Sequence, residues 1–133
     1  MKAVAARITR GLNLGSLVDV ADNSGAKLAR IVAVKKGKSR RGRQISCGVN
    51  NLVKVSIKAG INELRKQVVW AVVIRQRRPY RRLTGERIYF ESNAVVLLKD
   101  EIGNPRGTQI KGPIAREVAD KWPFVSKIAT IIV

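Results

Sequence analysis

Between Leu52 and Lys58 the chain alternates without a break: Val53, Val55 and Ile57 fall on one side, Lys54, Ser56 and Lys58 on the other. Successive side chains of an extended chain point to opposite faces, so this segment predicts a half-buried strand. Ala26 to Val34 is rich in β-branched residues but alternates less cleanly. Val68 to Ile74 is a continuous apolar run, as expected of a strand covered on both faces. Thr84-Gly85 marks a turn, after which Ile88 and Phe90 alternate with Arg87, Tyr89 and Glu91; Ala94 to Leu98 is a further short apolar run. Several short strands between turn signals predict a mainly β fold built as a small closed barrel. Lys35 to Ser46 lies between two of these strands, is basic and contains glycine, and reads as the tip of a projecting hairpin.

The period changes near the C-terminus. Pro113 suits the first position of a helix, where its missing N–H costs nothing. Ile114 and Val118 then share a face, as do Ala115, Ala119 and Trp122, while Glu117 and Lys121 are spaced for an i,i+4 ion pair. Pro123 stops this helix, and the helical segment is expected over about residues 113–127. Ile128 to Val133 reads as a last short strand or buried tail. With neither internal repeat nor linker, 133 residues read as one domain, 1–133.

Charge changes the picture. The chain carries 27 Lys or Arg against 9 Asp or Glu, a formal net charge of +18. Residues 23–85 hold 17 of those cations and a single acid, Glu63. Such a field concentrates polyanions, nucleic acid above all. There is no His and one Cys, Cys47, which excludes a disulfide framework and a Cys/His zinc site and removes the usual general base. No run approaches the ~20 apolar residues of a membrane span, and the first fifteen residues lack the apolar core of a secretory signal. The expectation is a soluble intracellular protein with no cofactor or metal.

Several short motifs admit plainer readings. Gly37-Lys38-Ser39 resembles the end of a phosphate-binding loop, but position 32 is Val where that loop needs Gly. Ser24 and Lys27 have serine–lysine nucleophile spacing, yet Asn23-Ser24-Gly25 reads as a turn feeding a strand. Asp100 and Glu101 precede Gly103, Asn104 and Pro105 and read as a loop rather than an acid/base pair. Cys47 is expected to be a small buried hydrophobe. None of this favours an enzyme.

Two basic runs are more specific. Lys35, Lys36, Lys38, Arg40, Arg41 and Arg43 lie within nine residues, and Arg75, Arg77, Arg78, Arg81 and Arg82 within eight. Guanidinium groups pair bidentately with phosphate and stack on bases. Five arginines at the exit of a buried strand are expected to form a rigid phosphate-binding edge, with Pro79 bending the strand exit. Tyr80, between them, is left open between stacking on a base and packing on the barrel. Lys27, Arg30 and Lys54 complete the candidate RNA-binding set. Aromatic content is only 5%, which argues against a stacking platform for single strands and for recognition of folded RNA by its backbone and shape. On the helix, Arg116, Asp120 and Lys121 are left for the outside, a mixed-charge surface suited to a protein partner.

Ala21-Asp22-Asn23-Ser24-Gly25-Ala26-Lys27 and Ala71-Val72-Val73-Ile74-Arg75-Gln76-Arg77-Arg78-Pro79-Tyr80-Arg81-Arg82 resemble the universal large-subunit ribosomal protein fourteen family. So do Phe90, Asn93-Ala94-Val95, Gly112-Pro113-Ile114-Ala115-Arg116-Glu117 and Trp122-Pro123. The likeness runs from about Leu17 to Val133 and is to the archaeal and eukaryotic branch. It implies a five-stranded barrel with a projecting hairpin, working as a structural, cytoplasmic constituent of the large ribosomal subunit. Implied partners are large-subunit rRNA, neighbouring large-subunit proteins three and twenty-four, small-subunit rRNA across an intersubunit bridge, and the anti-association initiation factor six. A free RNA-binding or RNA-chaperone module is the alternative. The chain departs from the family at Asn50-Asn51, where Gly-Asp is frequent, and at Asn62, where Pro is; both fall at expected turns.

Overall fold

The computed structural model describes residues 3–133. Its elements run β1 (Ala6–Arg7), β2 (Leu12–Asn13), β3 (Leu17–Val20), β4 (Ala26–Val34), β5 (Ser46–Cys47), β6 (Leu52–Gly60), β7 (Val68–Arg75), β8 (Tyr80–Arg82), β9 (Arg87–Ile88), β10 (Ala94–Leu98) and β11 (Pro113–Ile114). Two helices, α1 (Arg116–Lys121) and α2 (Pro123–Ile128), and β12 (Ile131–Ile132) follow. β10, β3, β4, β6 and β7 close into the expected five-stranded barrel. Neighbours are antiparallel except β3 and β10, which run parallel with Asp19 opposite Ala94.

The alternation of β6 is realised: Val53, Val55 and Ile57 are buried, while Lys54 and Lys58 are exposed. The blurred pattern of β4 has a cause. Its ladder with β6 slips between Ala26 and Leu28, between Leu28 and Ala29, and between Ile31 and Ala33. Each irregularity offsets the two-residue period.

The apolar runs in β7 and β10 serve two cores. Ala71, Val73, Val95 and Leu97 join Val53, Val55 and Ile57 inside the barrel. Val72, Ile74, Val96 and Leu98 face outward and pack with Ile110, Ile114, Val118, Trp122 and Val125. Burying a Val, Ile or Leu side chain is worth roughly 1.5–3 kcal/mol, so this outer core fastens the C-terminal segment to the barrel. Coverage on both faces begins only at Ala71; Val68 is exposed and Val69 and Trp70 are half-buried.

The C-terminal segment departs from the sequence expectation. Pro113 opens no helix. Pro113 and Ile114 are extended as β11 and pair in parallel with Ile131 and Ile132 of β12. The Ala115 N–H bonds the Ile74 carbonyl at 3.1 Å, and the Pro113 carbonyl is taken by the Arg75 guanidinium at 2.8 Å. With those groups tied to the barrel, α1 starts at Arg116. Pro123 ends α1 as expected but also opens α2 from its first turn, so the helical segment is two short helices meeting at Trp122. The final strand forms, but Ile131, Ile132 and Val133 are exposed rather than buried.

The β4–β6 ladder ends at Val34 and Val53, and residues 35–51 form an irregular loop. Lys36 and Arg41 adopt positive φ within it, and its far end returns as β5 to pair with β2. Asn50 has φ +81°, and Asn is among the few non-glycine residues that tolerate this conformation. Cys47 is fully buried, as expected.

Candidate nucleic-acid interface

The arginine run divides into an inner and an outer set. Arg75 donates to Ser92 Oγ at 3.3 Å and to the carbonyls of Lys111 and Pro113 at 3.0 and 2.8 Å. Burial draws its pKa below the ordinary guanidinium value, opposed by the Asp19 carboxylate. Arg82 donates from Nε to Glu117 Oε1 at 2.7 Å and from Nη2 to the Val133 carbonyl at 2.6 Å. Tyr80 has no exposed surface, and its hydroxyl donates to Glu117 Oε2 at 2.7 Å. Arg75 and Arg82 therefore serve the fold, which corrects their expected place on an RNA-facing edge; of the two readings open for Tyr80, the structure has it packed rather than free to stack on a base. Glu117 consequently makes no pair with Lys121.

The three groups tune one another. Burial alone would raise the Glu117 carboxyl, but hydrogen bonds from Arg82 and Tyr80 outweigh it, and its pKa lies below the usual value. Burial would lower Arg82, but Glu117 and Tyr80 outweigh it and the pKa is raised. Tyr80 is raised, by burial first and then by Glu117.

Arg77, Arg78 and Arg81 are exposed. Arg81 sits in a three-stranded sheet, opposite Arg7 of β1 on one side and Arg87 of β9 on the other. Directly opposed residues share a face with Cβ atoms about 5 Å apart, and like charges so placed are destabilising. All three are exposed, and among the described residues no carboxylate pairs with them. Sequence reasoning missed Arg7 and Arg87, because no alternating pattern announces two-residue strands. It also missed Gln76, fully buried amid the arginines. Gln76 Nε2 donates to the carbonyls of Thr9 and Arg78 at 2.8 and 2.9 Å, and its Oε1 accepts the Val49 N–H at 3.0 Å.

The N-terminal segment stitches the two basic regions together. Arg7 pairs with β8; the backbone at Gly11 lies so close to Arg78 that a Cβ there would stand 2.7 Å from the arginine's own; Leu12 pairs with Cys47 at the end of the basic loop. In that loop Lys36, Lys38, Arg40, Arg41 and Arg43 are exposed. Lys35 is bridged to Glu101. Lys54 lies 4.8 Å from the centroid of the Trp70 ring, and Lys27 and Arg30 are exposed on β4. Among the described residues only Lys35 and Arg82 have a carboxylate partner.

The rejected motifs are structural. Ser24 bonds through both its N–H and its hydroxyl to Asp22 Oδ1 within a turn. Asp100 Oδ1 accepts the N–H groups of Ile102, Gly103 and Asn104. On α1, Arg116 is exposed while Asp120 and Lys121 are half-buried. Lys121 does not share a free outer face with Arg116: burial, and next the charge of Lys36, hold its pKa below the usual lysine value.

These features define a small, strongly basic β-barrel that presents unpaired cations from rigid strands and one irregular loop. The chain belongs to the ribosomal protein L14p/L23e family, whose model matches residues 11–133. It is 50% identical over 133 residues to the large ribosomal subunit protein uL14 of Nanoarchaeum equitans, covering the whole of both chains. It is 47% identical to the protein of that name from Halobacterium salinarum, again over both full lengths. A third, from Thermofilum pendens, is 53% identical over 126 residues, 95% of this chain and 89% of that one. The family is one of ribosomal proteins, not of enzymes.

Proposed function

We propose that this chain binds large-subunit rRNA through the exposed arginines of β8 and its neighbours and through the basic loop, as a structural constituent of the cytoplasmic large ribosomal subunit. The observation that carries this is the Arg7–Arg81–Arg87 row. Three like charges held in register cost folding energy unless an anion offsets them, and a phosphate backbone supplies charge at matching short intervals. Arg77, Arg78, Lys36, Lys38, Arg40, Arg41 and Arg43 extend the surface, with Lys27, Arg30 and Lys54 on the strands. The C-terminal side, with Arg116 and Asp120, suits protein neighbours and the intersubunit face. The resemblance nominates large-subunit proteins three and twenty-four, small-subunit rRNA and the anti-association factor six. The test is co-sedimentation with large subunits through a high-salt wash. Retention supports a built-in component; complete release into the supernatant favours a free RNA-binding module.

A further inference from the structure

A cavity of about 640 Å³ opens between the base of the basic loop, the end of α1 and the turn at Glu101 and Ile102. This lies within the range of sites that hold small ligands. Leu52, Trp122 and Ile102 contribute apolar lining, and Arg10, Lys36, Lys38 and Lys121 contribute four cations. The one acid in its wall, Glu101, is already bridged to Lys35. Among the described residues, none of the other four has a carboxylate partner. Burial, and next the charge of Lys36, hold the Lys121 pKa below the usual lysine value, as expected of cations that line one recess. Asn51 also lines the wall; its side-chain oxygen accepts the Gly48 N–H at 2.9 Å, and its amide nitrogen is a further donor.

We propose that this cavity receives one unpaired nucleotide of the bound RNA, its base against the apolar lining and its phosphate among Arg10, Lys36, Lys38 and Lys121. The proposal rests on the RNA-binding reading above and assigns it a specific recess. Two features favour a nucleotide over an acidic peptide. The recess joins an indole and aliphatic lining to a cationic rim, which fits a ligand that is flat and apolar at one end and anionic at the other. The cations also continue beyond it along the same loop, at Arg40, Arg41 and Arg43, as an RNA strand with one charge per residue requires.

The test compares two labelled RNA hairpins, one carrying a single unpaired nucleotide and one fully paired, bound to the full chain. Wild type is expected to prefer the bulged hairpin by about tenfold, the contribution of one modest base stack. Two variants address the recess independently: K36Q/K121Q removes charge, and I102W, at an exposed position, fills the space. Each should reduce the preference to about twofold or less; K36Q/K121Q should also weaken the paired hairpin, since Lys36 belongs to the wider basic surface, whereas I102W should leave the paired hairpin's affinity unchanged. Ultraviolet cross-linking of the bulged hairpin should mark peptides containing Lys36 or Trp122. A wild type that binds both hairpins equally overturns the inference and leaves the RNA-binding reading standing; binding of neither overturns both. A preference that survives both variants places the nucleotide elsewhere. Displacement of the bulged hairpin by polyglutamate from wild type, but not from I102W, assigns the recess to an acidic protein instead.

Discussion

Arg82 and Glu117 join the sheet beside the barrel to the first C-terminal helix, with Arg82 Nε 2.7 Å from Glu117 Oε1 and both side chains almost wholly out of solvent. Removing one partner of such a pair strands the other charge in a poorly hydrated place, at a cost of about 3–5 kcal/mol. Glu117→Leu should therefore lower stability by that order in urea denaturation. The double variant Arg82→Met/Glu117→Leu should recover part of the loss, since a buried pair replaced by apolar groups is often neutral while the buried Tyr80 hydroxyl still loses its acceptor. A double variant no better than the single would show that the pair itself, not the stranded charge, carries the stability.

The same site sets an acid dependence. The Glu117 carboxyl titrates below its ordinary value of 4.5 in the folded chain, so the unfolded chain binds the proton more readily. Its contribution is present above that ordinary value and fades as pH falls through the lower folded one. Stability measured against pH should fall more steeply below pH 4.5 in wild type than in Glu117→Gln. Parallel acid limbs would contradict the assignment.

The division of the arginine run makes opposite forecasts for neighbouring residues. Arg75→Ala leaves the Lys111 and Pro113 carbonyls without their donor and should cost roughly 2 kcal/mol. Arg77→Ala and Arg78→Ala should stay within about 0.5 kcal/mol, as exposed substitutions usually do. Thermal melts of the three single variants check this. For incorporation into large subunits the weight shifts to Arg77 and Arg78.

Arg81→Gln should separate folding from binding by sign. Relief of the repulsion with Arg7 and Arg87 should raise the stability of the free protein by ~0.2–1 kcal/mol. Affinity for rRNA should drop, with the slope of log K against log salt shallower by about 0.7–0.9, the share of one phosphate contact. A destabilised Arg81→Gln would mean that these arginines support the sheet rather than strain it.

The barrel was legible in the sequence wherever a local pattern carries the information. Val53, Val55 and Ile57 alternate because one face of β6 meets solvent, and Ala71 to Ile74 do not because a second layer covers β7. What could not be read is decided by distant partners. Whether an arginine turns in or out depends, for Arg82, on a carboxylate 35 positions away, and for Arg75 on carbonyls 36 and 38 positions away. The Pro113 segment shows the same limit. Its local sequence suits a helix, but Ile74, Arg75 and Ile131 claim its backbone first. Arg7 was invisible because two residues have no period, and only the register opposite Arg81 gives it meaning.

The parallel pairing of β3 with β10 also dictates an order of events. Synthesis delivers Leu17–Val20 long before Ala94–Leu98, so the barrel cannot close until most of the chain has emerged. Until then β3 lacks one neighbour, and the loop cations are already out in a cell full of RNA. Closure over so long a separation is slow, on the order of milliseconds to seconds, and leaves strand edges open meanwhile. The newborn chain thus passes through an interval in which it is sticky both as a sheet and as a polycation, and an escort that shields the basic loop during that interval would protect folding and delivery together.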